Sequence, residues 1–318
     1  MKKVMLFFAA IAMATSCSTQ DDVQTESTGK SLKVFKNIED FNTTLDRLRS
    51  FDSQEDYQNW ISQQSYKPLY NSEGFVDQDE IPFKLQFILN EDKQFMIGDK
   101  LITLQDGKLY QNSVSETGKA SGAKKVFGEA SVTKVSAAEP VDARVDIDGD
   151  GGSFKEGWEE FNRVSYAVGC NAPTNKGLRF RLVHYLVVEN LTVDGAPLVQ
   201  SDLLWKLRMS QYLNGSWVYN NTSTERRYSF SISGDYAIRV KSTGALVTNF
   251  ATGTFNKSVA NNCSTTVKGT QAWSLGYRGF PKPVNMSLYK WDVGISGHVY
   301  HKVNGDVEAN SVDTNFSW

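Results

Sequence analysis

Residues 178–189 read LRFRLVHYLVVE. Leu178, Phe180, Leu182, Leu186 and Val188 alternate with Arg179, Arg181, Tyr185 and Glu189, so the hydrophobic period is two rather than 3.6. Successive side chains of a strand point to opposite faces, and this alternation commits one face to a core. The pattern continues downstream. Asp194-Gly195 turns the chain, and Leu203, Trp205, Leu207 and Met209 then alternate with Lys206, Arg208 and Ser210. Asn214-Gly215 is a hairpin dipeptide, because both central turn positions need φ > 0, and Trp217 and Tyr219 lie on the returning strand. Tyr228, Phe230 and Ile232 alternate with Arg227, Ser229 and Ser231, and Tyr236, Ile238 and Val240 follow. Tyr289, Trp291, Val293, Ile295 and Val299 share a late face. Short alternating strands with regular turns predict an antiparallel β-sandwich-like domain over residues 153–318. Upstream, Ser153 and Glu156 make a capping-box pair and Phe154, Trp158 and Phe161 fall on one helical face, so a short helix is expected ahead of the sheets.

Residues 112–152 are rich in Ser, Thr, Ala, Gly and Lys and poor in large apolar side chains, the composition of a flexible linker. The segment ends in Asp146-Ile147-Asp148-Gly149-Asp150-Gly151. This matches the first half of a calcium loop, in which Asp146, Asp148 and Asp150 converge because Gly at the sixth position permits a sharp turn. The second half departs from the pattern: Gly157 stands where a bidentate Glu is required, and Glu156, Glu159 and Glu160 are off register. A calcium site and a solvated acidic linker are both open readings.

Residues 32–111 read as a small α+β domain. Asn37 is an N-cap, followed by Ile38, Phe41, Leu45 and Leu48 at helical spacing. Ser53 starts a second helix with Asp56 at the capping-box position and Tyr57, Trp60 and Ile61 on one stripe. Ile81–Asn90 is either a short helix or a strand. Gln94–Ile97 and Lys100–Leu104 read as strands, and Asp106-Gly107 predicts a hairpin that returns through Lys108-Leu109-Tyr110. The expected class is therefore α+β: a small helical and hairpin N-terminal domain, a linker, and the β domain.

The first residues, MKKVMLFFAAIAMATSCSTQDD, differ from all of this. Lys2 and Lys3 precede an apolar run, Val4–Ala14, too short to span about 30 Å of hydrocarbon as a helix. That is the form of a signal peptide, here residues 1–16. Ala14-Thr15-Ser16-Cys17 resembles a bacterial lipoprotein lipobox, with Ala14 where leucine is more usual. The resemblance implies that Cys17 carries a thioether-linked lipid and anchors the chain to a membrane, with residues 17–31 as a polar tether. Ser18-Thr19-Gln20-Asp21-Asp22 resembles the acidic tag that exports Bacteroidetes-type lipoproteins to the cell surface. The helix with Phe41, the helix with Trp60, Ile88-Leu89-Asn90, Phe95–Asp99 and Asp106–Tyr110 together resemble the N-terminal region of a Bacteroidetes-type surface lipoprotein family of unknown function. What the resemblance implies is an outer-membrane location, at the cell surface or otherwise on the periplasmic face. It implies no substrate.

Three cysteines occur. With lipid on Cys17, Cys170 and Cys263 form an even pair in an oxidising compartment, either bonded or buried as free thiols. A bond would close a loop of about 90 residues, worth roughly 4.5 kcal/mol in the chain-entropy treatment. Lys and Arg number 34 against 36 Asp and Glu, so no basic field invites nucleic acid.

No catalytic constellation stands out. His298 and His301 fall in an alternating stretch, where they point to opposite sides and do not share a metal. His184 sits on the apolar face of its strand, as a core histidine would. Gly294-Ile295-Ser296-Gly297-His298 is not a nucleophile elbow, and no phosphate loop or dinucleotide fingerprint appears. Trp205 and Trp291 follow the apolar phase and read as core. Trp217, Trp273 and Tyr277 lie next to turns or in the Gly-containing run 269–279, and they are candidates for stacking on sugar rings. The expected function is a non-catalytic surface lipoprotein that binds a glycan or a protein, with no cofactor unless calcium. The alternatives are a secreted hydrolase whose site is assembled from distant residues, and a structural envelope protein.

Overall fold

A computed structural model describes residues 31–70, 80–114, 120–132, 145–148, 156–167, 173–213, 215–219, 226–248, 252–261, 270–303 and 308–318. The N-terminal elements are β1 (Val34–Phe35), α1 (Ile38–Arg49), α2 (Gln54–Ser62), α3 (Leu85–Ile88), β2 (Gln94–Ile97), β3 (Lys100–Gln105) and β4 (Lys108–Val114). Their local causes are those visible in the sequence. Asn37 Oδ1 accepts from the Asp40 amide at 3.0 Å, which satisfies one of the free N–H groups of α1. Both arms of the Ser53–Asp56 capping box are formed at α2. Asp106 and Gly107 have φ of 50° and 72°, as the two-residue turn between β3 and β4 demands. The segment from Ile81 to Asn90, open between helix and strand in the sequence, forms the short helix α3.

The fifth strand overturns the expected class. β5 (Ala120–Val132) pairs antiparallel with β4 and then, through Gly128–Val132, with β8 (Pro173–Val193). The hairpin strands and the β region thus belong to one ten-stranded sheet, ordered β1-β2-β3-β4-β5-β8-β9-β10, with β9 (Leu198–Leu213) and β10 (Ser216–Tyr219) completing that path. The protein is mostly β, not a small helical domain tethered to a sandwich. The physical reason is the open edge of the β2–β4 meander, whose unpaired amides and carbonyls need a partner strand. β5 supplies it with small residues that looked like linker, because ladder hydrogen bonds are made by backbone and not by side chains.

β6 (Val145–Asp148), also inside the expected linker, pairs with β14 (Tyr289–Val303). The short helix expected near Phe154–Phe161 is instead β7 (Glu156–Ala167), which pairs with β8. The long ladder edge of β8 and the aromatic and β-branched content of this segment outweigh its capping signal. β13 (Gln271–Pro281) also joins the large sheet, against β9. A second sheet is ordered β12-β11-β14-β15, with β11 (Arg226–Val240), β12 (Thr252–Asn261) and β15 (Ser311–Ser317), and β6 added at β14.

Two cores flank the large sheet. Phe41, Leu45, Trp60, Phe83 and Phe87 pack with Val183, Tyr185 and Val187 on one face. Leu182, Leu186 and Val188 face the other way, onto Phe230, Ile232, Trp291 and Val299 of the second sheet. β8 is therefore covered on both sides, which is why Leu182–Val188 is nearly all apolar. Helices and second sheet sandwich the large sheet between them.

Candidate functional site

The second-sheet face of β8 changes character along its length. Leu182, Leu186 and Val188 are core. Asn190 and Thr192, the next two residues of that phase, line a groove of about 510 Å³. Strand register sets Ser131 of β5 beside Asn190 and Glu129 beside Thr192. The opposite wall is the connection from β13 to β14, with Pro283, Val284 and Met286. Asn285 fixes this wall: its Oδ1 accepts from the Ser287 amide at 3.0 Å and from the Ser287 hydroxyl at 2.7 Å. Lys282 turns its ammonium onto the Val193 carbonyl oxygen, and its amide donates to Pro197 O at 3.0 Å. The exposed carboxylates of Glu129 and Asp194 line the same groove as this ammonium. The result is an open trough with hydroxyl, amide and carboxylate groups on its floor and an apolar rim on one side, a chemistry suited to orienting a polar ligand.

A second polar cluster sits between α1, the segment before α3, and the large sheet. Arg49 Nε meets Asp202 Oδ1 at 3.0 Å and Lys84 Nζ meets the same oxygen at 2.9 Å. Lys206 Nζ lies 2.6 Å from Glu189 Oε1, and the Phe83 amide donates to Glu189 Oε2 at 2.8 Å. Burial opposes the charge on Asp202, but Lys84 and Arg49 hold its carboxyl below the usual range. Three bases and two acids are enclosed here, each base bonded to an acid, so the cluster pins the helices to the sheet.

The three histidines have separate environments. His184 is buried against Trp205, Phe316 and Trp318, with the Trp318 ring stacked at 5.6 Å, and burial pushes its pKa down to about 4. His301 lies 3.2 Å from the guanidinium of Arg226, itself fully buried. Burial, Arg226 and His184 all keep His301 neutral, which makes it a poor base. His298 is on the opposite side of β14, partly exposed, with Nε2 2.7 Å from Asp313 Oδ1.

The candidate stacking residues divide. Trp273 is 3 % exposed, its Nε1 donates to Asp52 O at 3.1 Å, and Phe230 lies edge-on at 4.7 Å. It is core, not a sugar platform, because Gln271–Pro281 is a paired strand and not a loop. Tyr277 is half-buried and the Arg49 guanidinium covers its ring at 4.0 Å. Trp217 lies on β10 opposite Tyr212. Trp205 and Trp291 are core, at 0 % and 1 % exposed. Asp146 and Asp148 lie on β6, opposite Asp292 and Lys290, and Asp150 lies outside the described residues. Cys17, Cys170 and Cys263 also lie outside them. Among the described residues, no three His, Cys, Asp or Glu side chains gather as a metal site requires, and no helix is long and apolar enough to cross a membrane.

The groove residues escaped sequence reasoning because Glu129 and Ser131 sat in an expected linker. The usable signal was on β8, where the apolar phase of Leu182, Leu186 and Val188 turns to Asn190, Thr192 and Asp194.

No family model matches the chain, and no curated protein matches it. Among solved structures, a DUF4848 family protein from Bacteroides thetaiotaomicron is similar over 90 % of this chain and 96 % of that one, at 9 % identity and a TM-score of 0.17. A likeness of that size assigns no activity.

Proposed function

We propose that this chain is a lipid-anchored envelope protein, held by Cys17 and displayed at the surface of an outer membrane, that binds a polar partner without altering it. One observation carries the binding reading. The face of β8 that is apolar beneath the second sheet becomes Asn190 and Thr192 in an open groove, beside Ser131 and Glu129. Polar groups on an otherwise core-forming face are costly to place unless water or a ligand meets them. A glycan or a polypeptide segment supplies the matching hydrogen bonds. The small residues before Cys17 and the acidic pair Asp21-Asp22 support the anchor and its export.

The test has two parts. Shaving intact cells with an external protease should cut residues 153–318 while a periplasmic control stays whole. Protection of those residues would remove surface display. The purified full chain should then retain members of an oligosaccharide and short-peptide array, and Ser131→Trp, which fills the groove, should lose them with an unchanged melting temperature. Equal retention by Ser131→Trp would overturn the groove assignment, and cleavage of a retained member would overturn the non-catalytic reading.

A hydrolytic reading has one favouring observation, the His298–Asp313 pair at 2.7 Å. That pair is 44 % and 60 % exposed, and among the described residues no serine hydroxyl bonds to its imidazole. An activated nucleophile needs that bond.

A further inference from the structure

The outer face of the second sheet is laid out by strand register. One cross-strand row is Ser258, Ser231, His298 and Asn315. The row on one side is Asn256, Ser233, Ser296 and Ser317, and the row on the other is Ala260, Ser229, Tyr300 and Asp313. All of these residues are exposed or partly exposed, whereas the intervening Phe230, Ile232 and Val299 point into the core. At strand spacings of about 4.8 Å and about 3.4 Å per residue, the grid measures roughly 14 Å each way between outer Cα atoms.

Its composition is not that of an ordinary solvated sheet face. Such faces carry β-branched, aromatic and long charged side chains, because these pack across strands and discourage edge pairing. Here six of the twelve positions are serine, there is no Lys, Arg or Glu, and the one carboxylate, Asp313, is engaged by His298. Within these twelve positions the surface is nearly uncharged and covered with short groups that both donate and accept hydrogen bonds, and Arg227 with Lys302 borders it on one side and Asp235 on the other. Protein partners favour Tyr, Trp, Phe, Met and Arg and avoid Ser, so the composition runs against a protein interface. Nucleic acid and anionic lipid need Lys and Arg, and insertion into a bilayer needs apolar side chains. A neutral, hydroxylated ligand matches the hydrogen-bonding groups of the grid. Two rings offer stacking surfaces: His298, oriented by Asp313, and Tyr300, whose hydroxyl donates to Glu308 Oε1 at 2.9 Å.

We infer that this face is a docking platform for a neutral polysaccharide, separate from the groove beside β5. The ligand lies across β12, β11, β14 and β15, with serine and asparagine side chains bonding its hydroxyls and Tyr300 and His298 under its sugar rings. Short serine side chains lose less rotamer freedom on contact than Lys or Arg would, so a weak grid of bonds suffices over an extended chain.

Affinity electrophoresis of the purified full chain through gels containing starch, xylan, mannan or a soluble β-glucan tests this, with polygalacturonate as the anionic control. At least one neutral polysaccharide should retard the wild-type chain. Ser231→Arg, which raises a long charged side chain from the middle of the grid, should weaken that retardation at least tenfold, and Tyr300→Ala should weaken it severalfold. Ser131→Trp in the groove should leave it intact, which separates this platform from the groove reading. The inference fails if no neutral polysaccharide retards the wild type, if only polygalacturonate does, or if Ser131→Trp abolishes retardation. It also fails if both platform variants, melting at the wild-type temperature, still bind fully. Should Ser231→Arg not fold, the Tyr300→Ala result decides alone.

Discussion

Arg49, the last residue of α1, donates through Nε to both carboxylate oxygens of Asp202 on β9, at 3.0 and 3.2 Å. Lys84 reaches the same carboxylate, and the Arg49 guanidinium also lies over the ring of Tyr277 on β13. One buried acid thus joins α1, the approach to α3 and two strands of the large sheet. It is the electrostatic seam along which the N-terminal helices dock.

Removing that acid should be severe. Asp202→Ala leaves enclosed Lys84 without its counter-charge and Arg49 with only the exposed Asp46, and breaking a buried pair costs about 3–5 kcal/mol. Asp52→Ala also removes an ion pair, to Lys257, but Asp52 is 70 % exposed and the loss should stay below about 1 kcal/mol. Urea unfolding of the two variants checks the contrast. Equal midpoints would show that the seam is not a stabilising joint.

His184 predicts a loss of stability in acid. Its folded pKa, about 4, lies below the ordinary histidine value of 6.5 because burial disfavours the imidazolium. Between those values the unfolded chain binds the proton and the folded chain does not. Stability is therefore full above pH 6.5 and falls as pH drops toward 4, by roughly 3 kcal/mol at 1.36 kcal/mol per pKa unit. His301, held neutral by burial and Arg226, adds to the same slope. Melting temperatures from pH 7.5 to 4 should decline less steeply for His184→Leu than for wild type.

Gly128 marks where β5 joins β8. A Cβ there would overlap the carbonyl oxygen of Thr192, so any side chain pushes the strands apart. Gly128→Val should destabilise the protein by more than about 2 kcal/mol and loosen the groove floor, since Glu129 pairs with Thr192 next door. Hydrogen exchange should rise in 128–132 and 189–193 before it rises elsewhere. Uniform exchange across the large sheet would contradict this.

The features legible in the sequence share a local cause. Asn37, Ser53 with Asp56, and Asp106-Gly107 each act within a few residues, and each formed the expected element. Alternation in Leu178–Val188 is likewise set by the strand itself. The missed features depend on distant partners. Ala120–Val132 has little apolar content, and only pairing with β4 and β8 makes it a strand. Trp273 looked exposed among glycines, but β9 and the Asp52 carbonyl enclose it. The groove exists because the apolar cover above β8 stops at Val188, a property of two sheets together. The serine rows were plain as single alternations, as in Ser229 and Ser231, yet only the register across four strands assembles them into a surface.

Trp318 couples packing to titration. Its amide and carbonyl both bond to Ile295, at 2.8 and 2.9 Å, and its ring stacks on His184 while 6 % exposed. Trp318→Ala should cost about 3–5 kcal/mol at pH 7.5, the usual loss for a buried aromatic truncated to Ala. The same change opens His184 to water and relaxes the burial that depresses its pKa. The variant should therefore be less stable near neutrality and yet lose less further stability between pH 6.5 and 4. Melting curves of wild type and variant across that range give both quantities. A parallel downward shift at every pH would mean that Trp318 packs the core without shielding His184.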